Sequence, residues 1–305
     1  MEEKKKSRLP LIAIIIFVLV LAALYAYLYI LPGIKDSRTE RSVVYYTRIQ
    51  DQKESMCVVL RKEQVVNSGG AGSVSYFAEE GVKARKRTKI ADVYTGGERR
   101  SLTAPATGFL SFYLDGYEET LDPDLFAELD ITEIAGTKFA DPEGNRPSDV
   151  DGDVPVFKIV SSDVWYVLII EPLTSASEYS LGSSLSIVFP DGTAVPAVVD
   201  SFRDDGSYRA FLASVSRYYE KSPQIRSFTG KVISSVYEGL MVPTDSIATN
   251  GENIGVYVLG LDGEYSFRSI EIIKETPDGI LIQDGGNVKQ YDEVLNDARN
   301  YKQPD

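Results

Sequence analysis

The chain of 305 residues contains no histidine and a single cysteine, Cys57. Without histidine there is no Ser-His-Asp or Cys-His arrangement, no imidazole general base and no histidine-ligated metal site. One cysteine cannot close an internal disulfide, so no disulfide framework supports the fold. Cations are in short supply as well. Lys and Arg number 32 against 45 Asp and Glu, which leaves a net charge of −13. Nucleic acid, whose phosphates need Lys and Arg, is therefore excluded as a partner. What remains gives no reason to assign a catalytic, cofactor-binding or metal-binding residue, or any cofactor.

Long apolar runs are equally sparse, with one exception at the start. Lys4, Lys5, Lys6 and Arg8 precede Leu9–Leu31, 23 residues without a charge. At 1.5 Å per residue such a helix is roughly 34 Å long, enough to cross a bilayer core. It is also longer than the roughly 7–15 apolar residues of a signal peptide, which favours an uncleaved single-pass anchor. Tyr25, Tyr27 and Tyr29 fall where an aromatic belt would lie. The basic start places the N-terminus in the cytoplasm and residues 32–305 outside, although Lys35, Arg38 and Arg41 follow closely.

Beyond the anchor, aromatic and β-branched runs bounded by Gly predict strands throughout. Ser42–Gln50 and Met56–Val66 read as two strands with a turn at Asp51–Ser55. A motif then occurs twice, as GSVSYFAEEG (Gly72–Gly81) and GFLSFYLDG (Gly108–Gly116). Tandem copies of a short β unit predict a pseudo-twofold structure with Tyr76 and Phe112 in one core. The Gly-rich run Ser68–Gly72 feeds a strand and not a helix N-terminus, so it is a loop and no phosphate cradle. Lys83, Arg85, Arg87 and Lys89 alternate and would share one face of a strand, either solvated or facing an anionic surface.

Asp122-Pro123 predicts the start of one short amphipathic helix carrying Leu125, Phe126, Leu129 and Ile134 and ending near Gly136. Asp149, Asp151 and Asp153 resemble the start of a calcium loop but lack its Gly and its closing Glu, so they read as a solvated loop. Trp165 is expected in a core, and Tyr218-Tyr219 in a core or at its rim. Turns are expected at Asp191-Gly192, Asp205-Gly206, Asn250-Gly251, Asp262-Gly263 and Asp278-Gly279. Asn287–Asn300 is polar and is expected to end in a short helix.

Glu79–Tyr94 and Leu102–Glu118, with Ala104-Pro105 and Gly108, resemble the two halves of a lipoyl-type sandwich. Their pairing is similar to the HlyD-like membrane fusion proteins, the periplasmic adaptor subunits of efflux and secretion transporters. Val156–Pro172, Leu181–Phe202 and Gly239–Ile273 continue the resemblance in the family's order, over residues 40–285. There are two departures. Arg87 stands where the half-motif has Gly, and only Thr95–Ser101 join the halves where the family inserts a long α-helical hairpin. A biotinyl or lipoyl carrier would present a Lys in that joining turn, and none lies between Lys89 and Lys138.

The resemblance implies a mainly β architecture. Residues 1–8 would be a cytoplasmic tail and 9–31 the transmembrane helix. A barrel-sandwich hybrid would occupy 61–120, an acidic linker with a short helix 121–152, and a β-barrel 153–230. Residues 32–60 and 231–305 would build a discontinuous membrane-proximal β domain. The implied function is that of a non-enzymatic adaptor, oligomeric, docked on an integral membrane transporter of ABC or RND type, in an envelope of the Gram-positive kind. The alternative is an envelope scaffold that binds cell-wall or cell-division components without transport.

Overall fold

Period-two burial runs through most of the chain, and nearly every described segment is a strand. The computed structural model describes residues 9–25, 40–140, 143–160, 164–299 and 301. Leu9–Tyr25 forms α1, 17 residues with no charged side chain in its first or last turn. Among the described residues no helix is long and apolar enough to cross a membrane. Residues 26–31 of the expected span, and the basic tail before it, lie outside the described residues. After α1 the chain divides into two units, residues 50–236 and a second that joins the segment before Gln50 to residues 237–305.

β1 (Arg41–Val43) leads into β2 (Tyr45–Leu60), a single 16-residue strand. The turn expected at Asp51–Ser55 does not form. That segment holds no Gly or Pro to break the strand, and the alternation of burial continues through it. Next come β3 (Glu63–Asn67), β4 (Gly72–Tyr76), β5 (Lys83–Ala84), β6 (Lys89–Thr95), β7 (Glu98–Thr103), β8 (Gly108–Ser111) and β9 (Tyr113–Leu114). An acidic segment containing helix α2 (Ile131–Gly136) and strand β10 (Glu143–Gly144) is followed by β11 (Asp149–Val150) and β12 (Pro155–Val160).

Two four-stranded sheets, β11-β4-β6-β7 and β5-β8-β12-β3, face each other as a sandwich. They repeat one another strand for strand. Val150 opposes Gly72 as Ala84 opposes Gly108, and Ser73 opposes Tyr94 as Phe109 opposes Val160. A Cβ on Gly72 would lie 2.4 Å from the Tyr94 carbonyl oxygen, and one on Gly108 2.3 Å from that of Val160. Both glycines are thus required by close backbone approach. One core joins the halves, from Val74, Ile90, Val93 and Leu102 to Leu110, Phe157 and Ile159. Within it Tyr76 meets Phe112 edge-on with ring centroids 5.3 Å apart.

β12 pairs with β3 and β8, and β11 with β4, so residues 149–160 complete the sandwich. The boundaries expected at 120 and 153 are corrected accordingly. The second half needs these strands as the counterparts of β5 and β6. The basic run does not form one strand either. Lys83–Ala84 is β5, Arg85–Thr88 is a turn closed by the Thr88 N–H donating to the Arg85 carbonyl at 2.9 Å, and Lys89 opens β6. Arg87 takes φ 70°, the backbone a glycine would supply at no steric cost. β6 and β7 are joined by Gly96-Gly97 at φ 58° and 93°, a two-residue turn with both central residues left-handed.

β13 (Trp165–Pro172), β14 (Ser184–Val188), β15 (Ala194–Asp205), β16 (Tyr208–Val215) and β17 (Ser227–Val242) follow. With β2 they form the run β14-β15-β16-β13-β2-β17, and pairing of β14 with β17 closes it into a six-stranded barrel. Cys57, Val59, Trp165, Val167, Ile169, Phe211, Ala213 and Val232 fill its interior. The alternate residues Val58, Leu60, Leu168, Ile170, Ala210 and Leu212 are also buried. They are covered on the outside by Leu121, Phe126, Ile131 and Ile134 of the acidic segment. Burial on both faces explains why these strands read as continuous apolar runs. The single helix expected there is two pieces, a 3-10 turn at Pro123–Leu125 and α2. Asp130 supplies a second cap, accepting the Glu133 N–H at 2.8 Å, and so starts a new helix.

The second unit contains β18 (Ile247–Asn250), β19 (Asn253–Leu259), β20 (Tyr265–Ser269), β21 (Ile272–Thr276), β22 (Gly279–Ile282) and β23 (Glu293–Leu295). Its sheet runs β1-β23-β19-β18 with β20 on β19, and its core joins Val44, Leu240, Val242, Val256, Val258 and Val294. The helix expected before Asn300 is replaced by β23, whose Val294 and Leu295 are buried against β1 and β19. The bounds expected at 60 and 231 are corrected too, because Cys57, Val59 and Val232 belong to the barrel interior.

Gly108→Val should lower stability by about 3 kcal/mol or more, since the added carbons meet the Val160 backbone. Gly81→Ala, at φ 76° with nothing within 4 Å of the added carbon, should cost only about 1 kcal/mol. Equal melting temperatures for the two variants would refute the close-approach account.

Candidate functional site

Charged residues embedded in apolar strands mark the place where sandwich meets barrel. Arg61 follows β2, Glu63 opens β3, Lys158 lies in β12 and Arg226 immediately precedes β17. Asp115 and Glu118 come from the turn after β9. The Glu63 carboxylate accepts from Arg61 Nε at 2.8 Å, Lys158 Nζ at 2.9 Å and Arg226 Nη2 at 2.8 Å. Arg226 also grips Asp115 with two bonds, Nε at 2.6 Å and Nη2 at 3.0 Å, and its Nη1 donates to the Val59 carbonyl at 3.0 Å. Lys158 Nζ reaches Glu118 Oε1 at 3.3 Å, and Glu118 accepts the backbone N–H groups of Asp115 and Gly116. Three cations face three anions.

Arg61, Lys158 and Arg226 are at most 1% exposed, so the cluster lies out of water. Arg61 Nη1 donates to the carbonyls of Ser222 and Ile225, whereas its Nη2 has no hydrogen-bond partner among the described residues. Burial pushes the Glu63 carboxyl up, but Arg61, Arg226 and Lys158 together outweigh it and hold the group well below the usual carboxylate range. Burial likewise opposes ionisation of Asp115, and its bonds from Arg226 reverse the balance. Burial pulls Lys158 down, and the neighbouring Arg61 and Arg226 add to that pull against Glu63. The arrangement is a closed set of ion pairs. It clamps the sandwich and barrel, because separating them would strand ions in a dry interior.

The residues singled out in the sequence lie around this clamp. Trp165 is in the barrel core and donates from Nε1 to the Arg217 carbonyl at 3.0 Å. Tyr219 is buried with its hydroxyl on Asp191, whereas Tyr218 is exposed and lies 4.6 Å, centroid to centroid, from Phe109. The basic turn is exposed at the barrel end of the sandwich. Asp149, Asp151 and Asp153 lie at the other end, where Asp153 accepts the Gly69 N–H at 2.7 Å. No group of three or more metal-ligating side chains occurs among the described residues. An open groove of about 450 Å³ on the barrel is lined by Asp51, Lys53, Ser177, Tyr179, Ser183 and Ser234. The clamp itself was missed by the sequence reading. Its signal was a lone Lys in the apolar run VFKIV, Val156–Val160.

The family model described as RND related, barrel-sandwich hybrid domain matches residues 63–161. No curated protein sequence matches the chain. Among solved structures, ZneB from Cupriavidus metallidurans is similar at 9% identity and TM-score 0.37, over 87% of this chain and 94% of that one. MacA from Actinobacillus actinomycetemcomitans is similar at 11% identity and TM-score 0.34, over 84% and 98%. A putative efflux transporter from Bacteroides eggerthii is similar at 11% identity and TM-score 0.33, over 87% and 96%.

Glu63→Gln should cost about 3–5 kcal/mol, because it leaves three cations against two anions in a dry site. Glu63 and Asp115 titrate lower in the folded than in the unfolded chain. Their stabilisation is therefore complete above the unfolded carboxylate range of about 4 and is lost as pH falls toward the folded values. Urea midpoints measured from pH 7 downward should fall more gently for Glu63→Gln than for wild type. Parallel acid limbs would show that Glu63 is not the group being protonated.

Taken with the strand pairing, the family match identifies residues 63–161 as a barrel-sandwich hybrid domain.

Proposed function

We propose that this protein is a membrane-anchored, non-enzymatic adaptor subunit of an efflux or secretion transporter in the cell envelope. The observation that carries the reading is the RND-related barrel-sandwich hybrid at 63–161, locked by buried ion pairs to a closed barrel. A rigid two-domain body without a reactive centre is suited to holding other proteins in position. Leu9–Leu31 is the single-pass span in this reading, with α1 as its first 17 residues, the N-terminus cytoplasmic and residues 32–305 outside. Several copies gather around the outer face of an ABC- or RND-type transporter. The Gly96-Gly97 turn leaves no length for a coiled coil between the sandwich halves. Contact is therefore made close to the membrane, through residues 165–285, as suits a single-membrane, Gram-positive-type envelope.

The second reading, an envelope scaffold for wall or division components, is favoured by the serine-rich groove on the barrel, whose hydroxyls suit a polar polymer. Crosslinking in living cells followed by purification separates the two. Recovery of an integral membrane transporter is expected, and recovery of wall or division proteins alone would replace the adaptor with the scaffold.

Topology has its own test. Cys57 is fully buried and its thiol is pushed up to about 12 by burial, so the native cysteine does not react with thiol reagents. Leu261, at the fully exposed tip of the β19–β20 hairpin, is a suitable place for a reporter. In intact cells a membrane-impermeant maleimide should label Leu261→Cys and leave wild type unlabelled. Labelling only after lysis would place these domains in the cytoplasm.

A further inference from the structure

The polar middle of β2 opens a space on the barrel. β2 pairs with β13 from Leu60–Tyr166 to Met56–Ile170, and soon after that point β13 ends and the chain turns away through Leu173–Ser175. Asp51, Gln52 and Lys53 then stand across a groove of about 450 Å³ from Ser177 and Ser183, with β17 and Leu185 of β14 completing it. That volume falls within the range of about 300–1,000 Å³ of small-molecule sites. One wall is held by a carboxylate outside the ion-pair clamp. Glu171 is fully buried and accepts four hydrogen bonds: Lys53 Nζ at 2.7 Å, Ser55 Oγ at 2.7 Å, and the N–H and Oγ of Ser177 at 2.6 and 3.2 Å. Lys53 also donates to the Ser175 carbonyl. Beyond Ser177, Tyr179 packs on Phe211 with ring centroids 4.9 Å apart. A wall ordered in advance removes that entropic cost from binding.

The chemistry of the lining limits what can enter. Ser177, Ser183, Ser234 and Ser235 supply hydroxyls. Among the described lining residues Lys53 is the one cation, and it is neutralised by Glu171, whereas Asp51 and Glu178 add two carboxylates. Arg209, near Glu178, is already held by Asp204 with bonds of 2.6 and 3.0 Å. The side chains of Gln52, Glu178 and Ser235 have no hydrogen-bond partner among the described residues. An anion is repelled from such a groove, and an apolar ligand would desolvate these groups without replacing their hydrogen bonds. A ligand that carries both hydroxyls and a protonated amine satisfies the carboxylates and the neutral donors and acceptors together.

We propose that this groove binds an amine-bearing glycan chain, with an ammonium set against Glu178 and Asp51 and sugar hydroxyls against the serines and Gln52. The groove is open, so a chain can lie along it with further sugars outside. This deepens the second reading given above, since it names the ligand of the groove that favours it, and rests on that reading.

The test uses the full-length protein in micelles of a detergent without a sugar headgroup, at a pH that keeps the sugar amine protonated. The probe is a glucosamine tetramer, with the N-acetylglucosamine tetramer as its uncharged counterpart. Titration calorimetry should show the amine form binding at least about tenfold more tightly. Glu178→Gln should remove most of that preference, and Ser235→Ala should weaken both tetramers about threefold, each with melting temperature unchanged. Position is read separately. Cys57 is buried, so Gln52→Cys carries one reactive thiol, and the glucosamine tetramer should slow its labelling by maleimide. Equal affinity of the two tetramers, wild-type affinity in Glu178→Gln, or labelling of Gln52→Cys that saturating tetramer leaves unchanged would overturn the proposal. Glucosamine itself binding as tightly as its tetramer would overturn the assignment to a chain. Failure to recover wall components by crosslinking in cells bears on the scaffold reading alone, because glycan binding is measured on the purified protein.

Discussion

Six ionisable groups withdrawn from water constrain the barrel and sandwich more tightly than any apolar contact between them. Apolar surfaces slide at modest cost, whereas a buried ion that loses its partner is left with the full penalty of its desolvation. Glu63 holds three cations, and Arg226 holds two carboxylates and a backbone carbonyl of β2. The partners come from several separate segments, so the junction forms only when both domains are already folded. The clamp therefore favours a single docked arrangement. Its contribution to net stability is modest beside that of an apolar junction of equal volume, and its gain is in definition of geometry.

That definition matters because the sandwich is itself built from two halves that could have been interchangeable. Gly72 and Gly108 occupy the same place under the internal twofold, as do the short edge strands β11 and β5. Symmetry is broken by charge. Lys158 aligns with Asp92, and the first is drawn into the clamp whereas the second pairs with Lys89 and Ser101 at the opposite sheet. Only the second half thus carries the lysine that the clamp requires.

The parts of the fold that were legible in the sequence are those where backbone sterics restrict the residue type. The doubled Gly motif, the Gly96-Gly97 turn and the Asp-Gly turns demand particular residues, and the shared Tyr76–Phe112 core followed from the repeat. Arg87 showed the limit of that logic, since it adopts glycine's conformation without being glycine. Where tertiary context decides, the reading failed. Polarity at Asp51–Ser55 suggested a turn, but β2 runs on, with Lys53 and Ser55 both bonded to the buried Glu171 carboxylate of β13. The polar tail around Glu293 suggested a helix, but an open sheet edge recruits it as β23. The clamp was hidden because its members lie as far apart as Arg61 and Arg226, and no local pattern links them.

The pairing of β1 with β23 fixes the order in which this protein can be completed. Arg41 lies opposite Leu295 and bonds Glu293 at 3.0 Å, across 252 positions of chain. During synthesis β1 is made well before its partner, with 252 positions of chain separating Arg41 from Glu293. Contacts between such distant positions form slowly, because the intervening loop must close before they contribute. The barrel can close as soon as β17 is available, and the unit that contains β1 has to wait for β23. A ribosome stalled before Glu293 would therefore leave the barrel folded and β1 with an unpaired, adhesive edge. Truncation at the C-terminus is consequently a folding defect of the N-terminal strand, however far from it the lost residues lie in sequence.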